Sequence, residues 1–528
     1  MLTKLKKVFR QEVDPHEGTK IIVNYEKLET RVALLEDGSL EEYNIERDDA
    51  ENIVGSIFKG RVKNIEPGLK AMFVDIGFEK NAFLHFWDAI PAALDSEMEE
   101  IDRKGGNKGK KQQKRITSKD IPDIYPVGSE VMVQVTKGPI GTKGPRVTTR
   151  ISLPGKFMVL MPLNDQWGIS RKIDDPKERK RLREIMEKLS VPEGMGIIFR
   201  TVSAGRRNRY FVRDLGFLLE QWTRIAEIRD TQKAPVCCFE EPDLVERTVR
   251  DFLTDDVGEV ICDDQETSER MRNLVGTISR RSRKRIHDYD SPAPIFDELG
   301  VQKQIDDAFY RQVWLPCGGY LVIDETEAMI AVDVNTGRNK GGKNVEKTIL
   351  TTNIEAAHEV ARQLRLRNIG GLIVVDFIDM RGRRDQQAVY RAMCERVKRD
   401  KAKTQVLPIS RLGLMEMTRQ RLHESLNDTL YESCPACNGH GKVKSAVTMS
   451  VELQRRITGI LARHETRNHD LLIVVHPDVM HRLRTEDEQL LAELQRRHQG
   501  RLTFRADQGF TREQIQILDA KTNNEIRH

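Results

Sequence analysis

Apolar and polar positions alternate in several distinct rhythms along this chain. Residues 19–25, 30–35 and 40–45 read as short strands around a turn at Gly38. From residue 52 to 150, Val, Ile and Phe alternate with polar residues over short stretches and Gly marks the bends, which predicts a small β-barrel. Residues 151–245 read as an α/β unit. In it FMVLMP is a strand, residues 175–189 form a charged helix, and PEGMGIIFRTVSAG is a strand entering a glycine turn. The clearest pattern lies between Gly318 and Met380. Two apolar runs, 328–334 and 372–375, read as buried strands. Between them residues 343–367 hold no Pro or Gly. Ile349, Ile354, Ala357, Val360, Ala361 and Leu364 fall on one helical face. A strand–helix–strand unit of this kind places its strands side by side and parallel. After residue 445 the pattern gives a helix, the strand LLIVV and a further helix, with no chemical motif.

That pairing brings together two acids that lie far apart in sequence. Asp333 ends the first strand and Asp376 the second, 376 − 333 = 43 positions later. Adjacent carboxylates repel unless something neutralises them. A divalent cation does so, and oxygen-only ligation points to magnesium or manganese rather than zinc. Asn335, two residues beyond Asp333, lies on the same side of an extended chain and adds an amide. Either acid alone also reads as an ordinary strand-end cap; the pair with Asn335 favours the metal. Elsewhere, Arg200 and Thr201 leave a strand together, a guanidinium fork beside a hydroxyl donor, which suits phosphate. Arg362, Arg365, Arg411, Arg419 and Arg421 are candidate RNA-backbone contacts, with surface charge as the equal alternative.

Composition narrows the class. At 528 residues the chain holds several cores, and a net charge of +5 does not by itself indicate nucleic-acid binding. No run of about 18 apolar residues occurs, so no membrane span and no obligatory membrane partner are expected. The start MLTKLKKVFRQEVD is cationic without a secretory pattern. Seven cysteines without framework spacing fit a reducing cytoplasm. One stretch, RKGGNKGKKQQKRITSK from 103 to 119, holds eight Lys or Arg and no acid, and reads as disordered, within a Lys-rich insertion near 93–121. CPACNGHG, carrying Cys434 and Cys437, is a zinc half-site by spacing. The chain has no second CxxC, so four ligands require distant residues, His440 among them, or a second chain. A redox CxxC is the rival; the following glycines and the lack of a thioredoxin-like context disfavour it.

The segment KGRVKNIEPGLKAMFVDIGFEKNAFLH resembles the RNA-binding barrel of the ribosomal-protein S-one type, a relative of the OB-fold. On such barrels aromatics stack bases and basic residues hold phosphates. Phe73, Phe83, Lys137 and Lys143 are the candidates, while barrel core is the equal alternative for either Phe. With VDVNTG, TNIEAAHEVARQLRLRNIGGLIVVDFIDM, ISRLGLMEMTRQR, CPACNGHG, PEGMGIIFRT and GISRK, the chain is similar to the catalytic core of the ribonuclease E/G family from about residue 30 to 453. The resemblance implies a magnesium-dependent endoribonuclease. Its substrate would be single-stranded, AU-rich RNA, with preference for 5′-monophosphate ends and products ending in 5′-phosphate. Its tasks would be rRNA and tRNA processing and mRNA decay.

The resemblance also assigns roles. Asp333 and Asp376 hold magnesium with Asn335 in support. Arg200, Thr201, Val159 and Arg171 bind the 5′-phosphate. Phe73, Phe83, Lys137 and Lys143 bind RNA. Cys434 and Cys437 supply half of a zinc site shared between two subunits, giving a homodimer, with a homotetramer open as the larger assembly. The implied fold is α/β multidomain. An RNase H-like domain is split over 1–51 and 246–308, around an OB-type barrel at 52–150 and a 5′-sensor at 151–245. A DNase I-like catalytic domain follows at 309–431, then a zinc link at 432–446 and a small α/β domain at 447–528. The Lys-rich insertion departs from the family pattern. The end at 528, without a long tail, points to the G branch, although a truncated E-like chain reads the same way. A non-catalytic RNA-binding factor on the same scaffold is the alternative function.

Overall fold

A computed structural model describes residues 18–47, 53–90, 98–100, 120–139, 143–253, 257–278, 282–326, 328–338, 345–421, 425–462 and 469–526. The Lys-rich stretch 103–119 lies outside the described residues. The chain forms two compact units, Met1–Thr429 and Leu430–His528. Together they make a mixed α/β, multidomain protein.

The first unit begins with an antiparallel meander, Thr19–Tyr25, Glu29–Glu36 and Ser39–Arg47. Two distant strands, Val257–Cys262 and Ile286–Asp288, extend it in parallel beside the first. One sheet is therefore built from two stretches of chain more than 200 positions apart. Ile21, Val23, Val32, Val260 and Cys262 bury its inner face against the helices Leu244–Asp251 and Gln265–Ile278.

Between those stretches lies a closed five-stranded barrel. Its strands run Ile57–Glu66, Ala71–Asp75, Ala82–His85, Arg146–Thr148 and Glu130–Lys137, and the last pairs back onto the first. Phe58, Val62, Met72, Val74, Leu84, Val133 and Val147 fill it. A Cβ at Gly60 would lie 2.8 Å from the Asp75 carbonyl, so only glycine permits this strand crossing. A second sheet follows, in the order Leu153–Pro154, Met158–Met161, Gly196–Phe199, Trp167–Ser170 and Met98–Glu100. The helices Pro176–Glu187 and Asn208–Thr231 accompany it.

The rest of the first unit is an open six-stranded sheet. Its order is Gln312–Trp314, Tyr320–Glu325, Met329–Asn335, Gly371–Asp376, Leu414–Arg419 and Thr404–Val406. The two central strands are parallel, joined by the crossover helix Val345–Leu366. Strict alternation divides the faces. Val313, Leu321, Ile323, Ile330, Val332, Val334, Ile373, Val375, Met415 and Met417 turn inward. There they meet Ala356, Ala357, Val360 and Leu364 of the crossover helix and Val389 and Met393 of the helix Arg383–Val397. On the opposite face Met329, Ala331, Asp333, Leu372, Asp376 and Glu416 are exposed among the described residues.

Three of the five arginines read as RNA contacts serve this unit instead. Arg419 is 4% exposed and forks onto Asp400 while donating to the Ile369 carbonyl. Arg365 pairs with the buried Glu41 of the meander, which also takes Arg396. Arg362 holds Glu359 with two bonds and donates to the Leu40 carbonyl. Each is tied down because a guanidinium over apolar packing needs a charged or carbonyl partner. Arg411 and Arg421 are exposed.

The second unit holds the helix Ala446–Leu461 and the strand Leu471–Val475, followed by two helices, Pro477–Thr485 and Glu488–Arg497. Two strands that the apolar pattern did not show, Leu502–Ala506 and Ile515–Asp519, flank Leu471–Val475 on either side. No helix among the described residues is long and apolar enough to cross a membrane.

Candidate active site

Asp333 and Asp376 face each other directly across the parallel pair, in the last register position of the pairing. Because Val332, Val334 and Val375 turn inward, both acids turn out on the exposed face. Asn335 lies two residues on, on the same face, and its amide Nδ2 donates to Asp333 Oδ2 at 2.7 Å. Burial, then the charge of Asp333, then that of Asp379, push the Asp376 carboxyl above the ordinary carboxylate range. Such tension is what a divalent cation relieves. Two adjacent carboxylates and an amide-braced oxygen suit a hard cation that keeps most of its waters. Among the described residues no cluster of three or more His, Cys, Asp or Glu is arranged to hold a metal by itself.

A cavity of about 600 Å³ opens just beyond Asp376, between residues 377–390 and 408–413. Asp379, Arg381, Arg383 and Arg411 line it, whereas Asp333 and Asp376 do not. The loop that forms its near wall is held from behind. Asn353, fully buried on the crossover helix, donates to the Ile378 carbonyl at 2.8 Å and accepts from the Ile378 amide at 3.1 Å. Asn353 escaped the sequence reading, although a polar residue on the apolar face of that helix, four positions before Ala357, was its signal.

The phosphate candidates converge on a second sheet edge. Trp167–Ser170 and Gly196–Phe199 are parallel, so Ser170 and Arg171 leave at the same edge as Arg200 and Thr201. The Ser170 and Thr201 hydroxyls are 3.1 Å apart. Val159, half-buried, sits opposite Ile198 on the neighbouring strand, and Arg171 is exposed. Arg200 is partly committed: its Nη1 lies 2.6 Å from the Gly155 carbonyl and 2.8 Å from Asp251 Oδ1. Burial pushes Asp251 upward, but Arg200 and Arg250 outweigh it and hold its pKa at about 2. A phosphate at Arg200 therefore shares its cation with a permanent carboxylate. Ser170 was not singled out by the sequence, although it stands inside GISRK.

On the barrel, Phe73 and Phe83 are not core. They alternate with the buried Met72, Val74, Ala82 and Leu84, face each other across the strands, and meet edge to face at 5.9 Å. The row continues sideways from Phe83 to Arg146 and from Arg146 to Lys137. Lys137 and Lys143 are exposed. Arg146, unnoticed in the sequence, places a cation beside the aromatic pair while Asp88 holds it at 2.8 Å.

In the second unit Cys434 and Cys437 sit in tight turns. The Asn438 amide donates to the Cys434 carbonyl at 2.7 Å and the His440 amide to the Cys437 carbonyl at 2.9 Å. Asn438, Gly439 and Gly441 have positive φ. The backbone amides of Ala436 and Cys437, then the Cys437 side chain, lower the Cys434 pKa, which favours the thiolate a metal or a redox step needs. Cys437 stands nine residues and Cys434 twelve residues before Ala446, away from that helix N-terminus.

Comparison with known proteins follows the same lines. The model of the ribonuclease E/G family matches residues 152–422, and that of the RNase E/G thioredoxin-like domain matches residues 433–521. The second match removes the argument that the CxxC lacks a thioredoxin-like context. Ribonuclease G of Escherichia coli K12 is 37% identical over 476 residues, 90% of this chain and 94% of that protein. Ribonuclease G of Haemophilus influenzae is 35% identical over 503 residues, 95% of this chain and 99% of that protein. Ribonuclease E of Escherichia coli K12 is 38% identical over 449 residues, 85% of this chain but 41% of that protein. The chain belongs to the ribonuclease E/G family.

The Asn353 clamp yields a direct test. Asn353→Ala strands the amide and carbonyl of Ile378, a loss of about 2–3 kcal/mol for two buried bonds. Hydrogen exchange at the Ile378 amide should then speed up well before global unfolding. Unchanged exchange there would mean that something else holds the loop.

Proposed function

We propose that this protein is an endoribonuclease that hydrolyses phosphodiester bonds in single-stranded, AU-rich RNA. It prefers 5′-monophosphate ends, leaves 5′-phosphate products, and acts in rRNA and tRNA processing and mRNA decay in the cytoplasm. The observation that carries the reading is the matched register of Asp333 and Asp376 on an exposed sheet face, in a chain of a ribonuclease family. Asp333 and Asp376 are the residues to hold magnesium. When bound, the ion supplies Lewis acidity at the scissile phosphate and a water of lowered pKa. Asn335 keeps one Asp333 oxygen oriented. Asn353 keeps the loop after Asp376 in place, and Arg411 offers positive charge at the cavity mouth.

The other sites extend this reading. Phe73 and Phe83 stack bases while Lys137 and Lys143 hold the backbone. Arg200, Thr201, Val159 and Arg171 recognise the 5′-phosphate, with the Ser170 hydroxyl beside Thr201. Two copies share one zinc through Cys434 and Cys437, as a homodimer or as a homotetramer made of two such dimers. In family terms the split N-terminal sheet is the RNase H-like domain, the barrel the OB-type module, the next sheet the 5′-sensor and the open sheet the DNase I-like domain.

Three experiments address these assignments. Asp333→Asn or Asp376→Asn should lower cleavage of an AU-rich oligonucleotide by about 100-fold or more while RNA affinity holds. A variant retaining more than about a tenth of the rate would sink the assignment. Arg200→Ala should slow cleavage of 5′-monophosphate RNA toward the rate for 5′-hydroxyl RNA, by about 10-fold or more for a charged contact; equal slowing of both would make Arg200 structural. Metal analysis with light scattering should find one zinc per two chains, and Cys434→Ser with Cys437→Ser should lose both zinc and dimer. One zinc per chain in a monomer would remove the shared site.

A further inference from the structure

The exposed face of the six-stranded sheet carries more than the two acids. Trp314, on the edge strand, is 51% exposed. It pairs across the strands with Tyr320, and Tyr320 pairs with Asn335. All three lie in one row on the face that Asp333 and Asp376 share, because Val313, Leu321 and Val334 turn inward beside them. The indole and phenol rings lie 5.4 Å apart at 59°. The Arg338 guanidinium sits 5.1 Å from the centre of the Trp314 ring.

Two glycine turns build this cluster. The Arg338 amide donates to the Gly318 carbonyl at 2.9 Å, which folds the end of the Asp333 strand back over the Gly318–Gly319 turn. Gly337 has φ +54°, and a Cβ there would lie 2.6 Å from the Gly318 carbonyl and 3.0 Å from the Tyr320 ring. At Gly319 a Cβ would lie 2.8 Å from the Asn335 carbonyl. The glycines thus let Arg338 reach Trp314 and let Tyr320 lie next to Asn335. A cross-strand aromatic pair stabilises an edge strand by itself, but that role does not need a half-exposed indole capped by a cation beside two carboxylates. An exposed ring, a guanidinium and a short step to the acids match what single-stranded nucleic acid requires: a π-face for a base and positive charge for the backbone.

We propose that Trp314 and Tyr320, with Arg338 against the Trp314 ring, form a stacking site for one unpaired nucleobase of the RNA strand lying across the Asp333–Asp376 centre. This rests on the reading of that centre as the cleavage site. Neighbouring strands are about 4.8 Å apart, so the Trp314 strand lies about 10 Å from the Asn335 strand and about 15 Å from the Asp376 strand, with the Tyr320 strand between. The base held there is therefore near the scissile phosphate without being next to it. Its recognition is through the ring face, so it tolerates any base and sets position rather than sequence.

The test separates this site from cleavage. Asp333→Asn protein is titrated with a fluorescent AU-rich oligonucleotide and with versions in which each nucleotide in turn is abasic. One abasic position should weaken binding by about 10-fold, within the range of a single stacked base. In Asp333→Asn with Trp314→Ala that sensitivity should vanish, and with Trp314→Phe it should return, while circular dichroism stays unchanged in both. If the abasic profile is the same with and without Trp314, the proposal is wrong. If Trp314→Ala alters the mass by light scattering and leaves RNA affinity alone, the face is an interface between copies and the proposal is equally wrong. Failure of wild-type protein to cleave the intact oligonucleotide would count against the catalytic reading and not against the stacking site.

Discussion

The parallel pairing of Met329–Asn335 with Gly371–Asp376 is the constraint on which the centre depends. Side chains alternate with period two, so a slip of one residue would bury Asp333 and expose Val332 and Val334. Ile330, Val332, Val334, Ile373 and Val375 prevent it, since all five are buried in one core with side chains of the helices Val345–Leu366 and Arg383–Val397. Ala356 and Ala357 are small enough to let the crossover helix sit close to the sheet. Hydrophobic burial on one face thereby fixes two carboxylates at adjacent positions on the other. Burial first, and then the charge of Asp333 beside it, push the Asp376 carboxyl upward, and that closeness is a consequence of packing on the far side of the sheet.

A second constraint holds that sheet to the rest of the first unit. Glu41, 3% exposed, takes Arg365 from the crossover helix and Arg396 from the next one, and Arg362 reaches the Leu40 carbonyl beside it. A carboxylate so deep is tolerable only with cations on it, and removing one partner of such a set costs about 3–5 kcal/mol. The meander is thus a base plate for the helix that sets the register. Sequence alone left these arginines evenly open between RNA-backbone contacts and surface charge, because an arginine cluster near two acids has the same appearance whichever phosphate or carboxylate it serves.

What was legible in the chain was what periodicity encodes. The strands at 19–47, the two central strands of the open sheet, the crossover helix and the position of both acids follow from apolar spacing, and the CxxC follows from a fixed interval. What was not legible depends on partners far away in sequence. Asn353 reads as a flaw in an apolar stripe until Ile378, 25 positions on, supplies its two bonds. Ser170 and Arg146 acquire meaning only through strand pairing. Leu502–Ala506 is short and largely exposed, so its alternation carries too little contrast to mark a strand. Phe73 and Phe83 were undecided between core and surface because both readings share one period; the neighbours Met72 and Leu84, wholly buried, decide it.

The same partner logic bears on how the edge that holds Arg200 relates to the acids. Lys172, next to Arg171, donates to the Asp400 carbonyl at 2.7 Å, and Lys398 pairs with Asp174. Asp400 in turn is locked to Arg419, whose strand runs antiparallel to that of Asp376. Lys401 lies 3.1 Å from the centre of the Phe252 ring, one residue beyond the Asp251 that holds Arg200. The stretch 398–401 therefore links the edge that carries Arg200 to the acid sheet, with the buried Asp400–Arg419 fork at its centre and the exposed Lys398–Asp174 pair at its rim. A switch requires an element with two arrangements of similar energy, and a buried Asp–Arg fork is a poor candidate for one. The link favours a fixed span between the edge that carries Arg200 and the acids. Under the proposed 5′-phosphate role of Arg200, an end anchored there would raise the chance that downstream RNA lies at the centre through effective concentration, with no change of shape in the sheet.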